Sequence, residues 1–390
     1  MSDLSYMDKL LDGVEVKKLT LGDIGEFIRG NGIQKKDLVE AGFPAVHYGQ
    51  IFTRYGFSAV QAFTFISDEL AKKSRIAQKS DLLIATTSEN DEDVLKSIAW
   101  LGEKVAISGD MMLFRHGQNV KYLAYYFQTD DFQKQKIKFI TGAKVRRVSR
   151  DSLSKMTVSL PSLEVQAEIV RVLDAFTELT AELTAQLTAE LVARKQQYTY
   201  YRDQLLTFEE SKVEWKKLED VCEKISSGKN KFKSELGLYP VFGSTGIIGR
   251  TDAKVYSKEQ ILVARVGANA GRVNIAKGEY DVSDNTLIVQ NKDNIILKFL
   301  YYYLVNVNLN RFTKGAGQPL LTAGQLKTML IPLPPLAEQQ RIVAILDKFD
   351  ALTTSLTEGL PREIELRQQQ YEYYRELLLS FPKAEVAKHD

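Results

Sequence analysis

Residues 160–208 and 333–381 are one segment written twice, at a constant offset of 173 positions and without a gap. Leu160-Pro161-Ser162-Leu163 matches Leu333-Pro334-Pro335-Leu336. Ile169-Val170-Arg171-Val172-Leu173-Asp174-Ala175-Phe176 matches Ile342-Val343-Ala344-Ile345-Leu346-Asp347-Lys348-Phe349. Gln196-Gln197-Tyr198-Thr199-Tyr200-Tyr201-Arg202 matches Gln369-Gln370-Tyr371-Glu372-Tyr373-Tyr374-Arg375. Two like segments alternating with two less alike ones predict a pseudo-twofold molecule.

The repeated segment has helical periodicity. Ile169, Leu173, Phe176, Leu179, Leu183, Leu187 and Leu191 are apolar, and so are their counterparts Ile342, Leu346, Phe349, Leu352, Leu356, Leu360 and Ile364. Each set advances 22 residues in six steps, close to the period of an unstrained helix. Two long, nearly straight helices packed antiparallel along one seam follow, each about 65–70 Å long at 1.5 Å per residue. Proline stands just before each (Pro161; Pro334, Pro335), where its missing N–H costs little. Thr180-Ala181-Glu182-Leu183, Thr184-Ala185-Gln186-Leu187 and Thr188-Ala189-Glu190-Leu191 form a four-residue tandem repeat. Adding or losing one unit changes the helix by ~6 Å and turns the seam by only ~40°, so this stretch reads either as a ruler or as plain coiled-coil filler. Gly359-Leu360-Pro361 in the second copy predicts a kink or break there.

The intervening segments also rhyme. Val14-Glu15-Val16-Lys17-Lys18-Leu19 resembles Val213-Glu214-Trp215-Lys216-Lys217-Leu218. Asp81–Ala85 and Gln260–Ala264, then Met111–Phe114 and Thr286–Val289, read as buried strands. Lys121–Phe127 and Lys298–Leu304 read as helices after them, and Ser152–Met156 and Gln325–Met329 lead back to the long helices. The expected fold class is α+β: two mixed α/β domains separated by two long antiparallel coiled-coil helices, a pseudo-twofold internal repeat. The boundaries fall at 1–158, 159–210, 211–331 and 332–381, with a tail at 382–390.

Net charge is only +2, so any basic surface is local. Residues 134–150 carry Lys134, Lys136, Lys138, Lys144, Arg146, Arg147 and Arg150 with no acid, and residues 224–233 carry Lys224, Lys229, Lys231 and Lys233 likewise. Lys35 and Lys36 add a basic pair to the first domain. Such patches neutralise phosphate, and a pseudo-twofold molecule suits a pseudo-twofold partner, of which B-DNA is the commonest. Candidate readers of base edges are Thr86, Thr87, Ser88, Glu89 and Asn90 in the first domain and Arg265, Asn269 and Arg272 in the second, on turns beside strands. Arginine forks to guanine, asparagine pairs with adenine, and glutamate accepts from cytosine. In Lys314-Gly315-Ala316-Gly317-Gln318-Pro319, glycines allow close approach while Lys314 and Gln318 meet phosphate or base. The matching turn of the first half is Thr141-Gly142-Ala143-Lys144.

Catalytic signatures are missing. There is no Gly-x-x-x-x-Gly-Lys-Ser/Thr loop for ATP and no Asn/Asp-Pro-Pro-aromatic tetrad of amino-methyltransferases. His47, His116 and His389 lack metal-ligand spacing, and the acidic run Glu89, Asp91, Glu92, Asp93 reads as an exposed turn rather than a calcium loop. Cys222, the single cysteine, reads as a small buried hydrophobe. No signal peptide or membrane-length apolar run is evident, and a cytoplasmic protein is expected.

Two variable domains alternating with two similar helices, opened by Leu-Pro-x-Leu and carrying Gln-Gln-Tyr-x-Tyr-Tyr-Arg, resemble the specificity subunit of type I restriction-modification enzymes. The Gly315–Gln318 turn and the Thr-Ala-Glu-Leu repeat belong to the resemblance, which spans essentially the whole chain. It implies two target recognition domains, each reading one half of a split sequence in double-stranded DNA. It also implies helices that set the spacing and dock two methyltransferase subunits, with motor and nuclease subunits joining for restriction. The chain would bind no cofactor, S-adenosylmethionine, ATP and magnesium belonging to the partners. An alternative is a coiled-coil structural adaptor that gathers protein partners without DNA; aromatic helix ends (Tyr198, Tyr200, Tyr201; Tyr371, Tyr373, Tyr374) permit it.

Overall fold

Short runs of branched and aromatic residues build the centre of each half. In the computed structural model, which describes residues 10–231, 234–315, 317–355 and 358–381, the chain forms two units. One runs to Thr184 and takes in the chain again from Leu366; the other is Ala185–Glu365.

The first unit has a five-stranded sheet in the order Gly25–Arg29, Met111–His116, Leu82–Ala85, Ser97–Trp100, Ser58–Ala59. A four-stranded sheet follows the order Thr64–Ile66, Phe43–Val46, Val105–Ile107, Arg75–Ala77. Leu82–Ala85 is buried at every position, as its unbroken apolar run requires. The helix Val120–Tyr126 begins at Asn119, whose side chain accepts from the Lys121 and Tyr122 amides. In the second unit the four-stranded order is Cys222–Ser227, Thr286–Asn291, Gln260–Ala264, Val273–Ala276, beside a three-stranded sheet and the helix Leu297–Val307. Each unit is closed by an antiparallel ribbon, Lys17–Thr20 with Thr157–Leu160 and Glu214–Lys217 with Leu330–Leu333. Each ribbon leads into a long helix.

The first long helix is continuous over Leu163–Leu205. The second is two helices, Leu336–Thr354 and Leu360–Ser380, so the expected long second helix is broken as Gly359-Leu360-Pro361 predicts. Gly359 has φ +82°, and a Cβ there would lie 2.5 Å from the Ala351 carbonyl oxygen. Ile169, Leu173, Ile342 and Leu346 are fully buried as expected. Leu179 departs from the expected stripe, being 51% exposed; the inward place goes to Thr177, whose Oγ1 lies 3.2 Å from the Tyr371 hydroxyl. Leu356 lies outside the described residues.

Within each unit, a segment near the start of one copy packs against one near the end of the other. Phe176 stacks on Tyr374 at 5.2 Å, and Phe349 on Tyr201 at 5.7 Å. Both contacts join the same two repeat positions, so both helix pairings are antiparallel.

Two polar contacts, each present twice, fasten the α/β layers to the helices. Gln166 and Gln339 are fully buried. Gln166 accepts from the Asn119 amide at 3.1 Å and donates to the Pro161 carbonyl at 2.9 Å and to Gln118 Oε1 at 2.8 Å. Gln339 accepts from the Ile296 amide at 2.8 Å and donates to the carbonyls of Pro334 at 2.9 Å and Asn294 at 3.2 Å. Asp174 takes Lys121 Nζ at 2.7 Å and the Tyr125 hydroxyl at 3.0 Å, while Asp347 takes Lys298 Nζ at 2.5 Å and the Tyr302 hydroxyl at 2.6 Å.

His116 sits at the end of a core strand. Its Nδ1 accepts from the Gln118 amide at 3.1 Å, and its Nε2 is buried without a partner. Burial pushes its pKa down from 6.5 to about 4. The unfolded chain therefore takes a proton below pH 6.5 that the folded chain refuses until about pH 4. This group's contribution is fully present above pH 6.5 and is lost as pH falls toward 4, by up to about 3 kcal/mol at 1.36 kcal/mol per pKa unit. Urea midpoints at pH 7 and pH 4.5 should show a steeper acid loss for the natural chain than for His116→Asn; parallel losses would exclude His116 as the cause.

Candidate nucleic-acid interface

One edge of the main sheet recurs in both units, bond for bond. In the first unit, Gly30 N–H donates to the Met111 carbonyl, Thr86 N–H to that of Asp110, and Val148 N–H to that of Thr86, at 2.9, 3.0 and 3.2 Å. In the second, Gly228 N–H donates to Thr286, Arg265 N–H to Asn285, and Leu321 N–H to Arg265, at 3.0, 3.0 and 2.8 Å. Three chain segments therefore leave the sheet together: a loop after the first strand, a turn after the core strand, and a hairpin that pairs with that turn.

The loop requires glycine. A Cβ on Gly30 would stand 2.0 Å from the Ser108 carbonyl oxygen, and one on Gly228 2.2 Å from that of Val282. Beyond these residues the loops carry Lys35 and Lys36, and Lys229 and Lys231, all exposed. Lys233 lies outside the described residues. His47 is held below the usual histidine range chiefly by burial, with Lys35 adding to the depression and Asp110 opposing it.

The hairpins correspond at the repeat offset. Thr141 pairs with Arg147 and Lys314 with Leu320. Gly142 and Gly315 have φ +91° and +97°, and a Cβ on either would meet the carbonyl oxygen three residues later, at 2.1 and 2.9 Å. These turns demand glycine on both counts. Lys144, Arg147, Lys314 and Gln318 project into solvent from them.

The turn after the core strand corrects part of the sequence reading. Thr87 and Ser88 form a buried strand paired with Arg146–Arg147, instead of an exposed turn. Thr86 Oγ1 donates to the Asp110 carbonyl and Thr87 Oγ1 to the Asp110 carboxylate. Asn90 is engaged at both ends of its amide with Asp93, so among Thr86–Asn90 only the Glu89 side chain is left open. Arg146 is neutralised by Asp91 at 2.7 Å. Lys136 is 2% exposed and donates to the Glu92 carbonyl, so it stitches the acidic turn from inside and leaves the basic patch. In the second unit Arg272 is exposed, and Asn269 and Arg265 are half-buried.

The run 134–150 looked uniformly basic because linear composition does not show which side of the helix Asp130–Ile137 faces the core. Sequence reasoning missed Gln166, Gln339, Asp174 and Asp347, which join the helices to the α/β layers. The available signal was an identical polar residue kept in both copies beside an apolar stripe. Among the described residues no cluster suited to a metal ion occurs, and no helix is long and apolar enough to cross a membrane.

The family described as Type I restriction modification DNA specificity domain matches residues 13–193 and 210–366, one stretch in each half. The specificity subunit of the type I restriction enzyme EcoR124I/EcoR124II of Escherichia coli is 34% identical, with all of both chains covered. That of EcoprrI, also of Escherichia coli, is 33% identical over 92% of this chain and 93% of that one. A chain of a solved type I R-M system aligns with TM-score 0.66 and 18% identity over 93% of this chain and 97% of that one. The HsdS subunit of Thermoanaerobacter tengcongensis aligns with TM-score 0.57 and 17% identity over 94% and 95%; both show the same fold. With both halves matched and relatives aligned from end to end, the chain belongs to the family of type I restriction-modification DNA specificity subunits.

Proposed function

We propose that this chain reads a two-part, asymmetric target in double-stranded DNA, each unit's sheet edge meeting one half. The observation that carries this is the edge itself: identical backbone bonding in both units, with different side chains on it. Invariant framing with variable projection is what reading two different sequences requires. Lys35, Lys36, Lys144, Arg147, Lys229, Lys231, Lys314 and, in sequence, Lys233 are assigned to phosphate. Glu89, Arg265, Asn269, Arg272 and Gln318 are assigned to the grooves. Thr87, Ser88, Asn90 and Arg146 shape the edge from behind.

The long helices dock two methyltransferase subunits, which carry S-adenosylmethionine and methylate adenine. Motor and nuclease subunits with ATP and magnesium complete the restriction complex, and this chain supplies no cofactor site of its own. Methylome sequencing of cells making the complex tests the reading. One split, asymmetric adenine-methylated motif is expected; none, with an active methyltransferase subunit present, refutes it.

Residues 180–191 lie within the continuous helix Leu163–Leu205, so the tandem repeat is an unbroken part of the rod. Deleting Thr184-Ala185-Gln186-Leu187 shortens it by ~6 Å, which is one or two base pairs at ~3.4 Å rise. The methylated motif should keep both half-sites and lose that much spacer. A changed half-site with the old spacer would rule out the ruler.

A further inference from the structure

The carbonyl that precedes the edge-bonding residue holds an arginine in both units. In the first unit, Arg29 Nε donates to the Gly109 carbonyl at 3.0 Å. In the second, an Arg265 terminal nitrogen donates to the Asp284 carbonyl at 3.2 Å. Gly109 and Asp284 are equivalent, each standing one residue before the carbonyl that receives Thr86 or Arg265 N–H. The two arginines are not equivalent. Arg29 ends the first strand, whereas Arg265 follows the core strand. The same anchor has thus been filled from two different strands.

The electrostatics set these two apart. Arg146 beside the edge is discharged by Asp91, and Arg115 on the same sheet by Asp81. Among the described residues neither Arg29 nor Arg265 has a carboxylate partner. A carbonyl steadies a guanidinium without neutralising it, so the charge and the remaining donors stay available. Arg29 uses only Nε, which leaves its two terminal nitrogens as an open fork. Arg265 Nε is buried with no partner, a donor left wanting an acceptor that reorientation toward a base would supply. A planar fork restrained at one corner suits the paired acceptors O6 and N7 of guanine.

We propose that Arg29 and Arg265 are specificity-determining residues, each reading one guanine in the major groove of its own half-site. This rests on the DNA-reading function proposed above.

The test uses the full chain in complex with its methyltransferase subunits, assayed for methylation on a library of target variants. Arg29→Gln and Arg265→Gln should each remove discrimination at one guanine of one half-site, by about 10–100-fold, while the other half-site keeps its selectivity. Arg29→Lys and Arg265→Lys keep the charge and lose the fork, and should fail to restore that guanine. A uniform fall across all sequences that lysine rescues makes these residues phosphate contacts and overturns the proposal, as does unchanged selectivity. A natural complex with no selectivity at all would instead defeat the underlying reading.

Discussion

Replacing Gln166 or Gln339 with leucine should destabilise the unit that contains it by about 3 kcal/mol. Both side chains are fully buried, and both accept from an amide at the entry to the domain helix while donating to the proline carbonyl before the long helix. Leucine fills the volume and satisfies neither. Each stranded buried group costs about 1–3 kcal/mol, and two are stranded per substitution. The Gln118 side chain and the Asn294 carbonyl lie nearer solvent and find water, so they add little. Hydrogen exchange resolved by residue checks this: Gln166→Leu should loosen the first unit and leave the second near its natural protection, and Gln339→Leu the reverse. A loss below about 1 kcal/mol, or one spread evenly over both units, contradicts the assignment.

The alanine variants of Gly30 and Gly228 should be comparably severe. Neither glycine has a left-handed φ, so the conflict is purely steric. A Cβ on Gly228 would lie 2.2 Å from the Val282 oxygen and 2.5 Å from that of Ser283. Backbone on a central part of the edge cannot swing aside as a flexible side chain can. Relief means pulling the loop off the sheet, which breaks the Gly228 to Thr286 bond and displaces Lys229 and Lys231. The expected result is a loss of about 3 kcal/mol, at the upper end for single substitutions. The altered unit's half-site should also lose methylation selectivity. Gly117→Ala is the control: a Cβ there meets nothing within 4 Å and φ is not left-handed, so its effect should stay within about 0.5 kcal/mol. If Gly228→Ala behaves like the control, the loop is not held as described.

Much of this was legible in the chain, because repetition converts weak local signals into paired ones. The helix stripe, the core strands and the interruption at Gly359-Leu360-Pro361 were all readable from local periodicity. The recognition edge was not. It depends on Gly30 meeting Met111 and on Thr86 meeting Val148, contacts across about 80 and 60 residues whose register no local pattern encodes. Thr87 and Ser88 read as exposed because their neighbours are polar, yet pairing with Arg146–Arg147 covers them. Lys136 was misplaced for the converse reason, since its neighbours in sequence are solvated while it points inward. Arg29 is not legible in the sequence, because a single arginine at a strand end carries no signal without the Gly109 carbonyl beneath it.

The crossed helix pairing has a consequence for how this protein is made. Leu378 and Leu379, near the end of the second copy, are buried in the same core as Ile169, Leu173 and the Val120–Tyr126 helix. Among the described residues, the second unit's core draws on nothing beyond Glu365. During synthesis the first unit leaves the ribosome early but exposes an unfinished apolar surface until residues 378 and 379 emerge. Domains generally mature from the N-terminus onward; here the part made first is completed last.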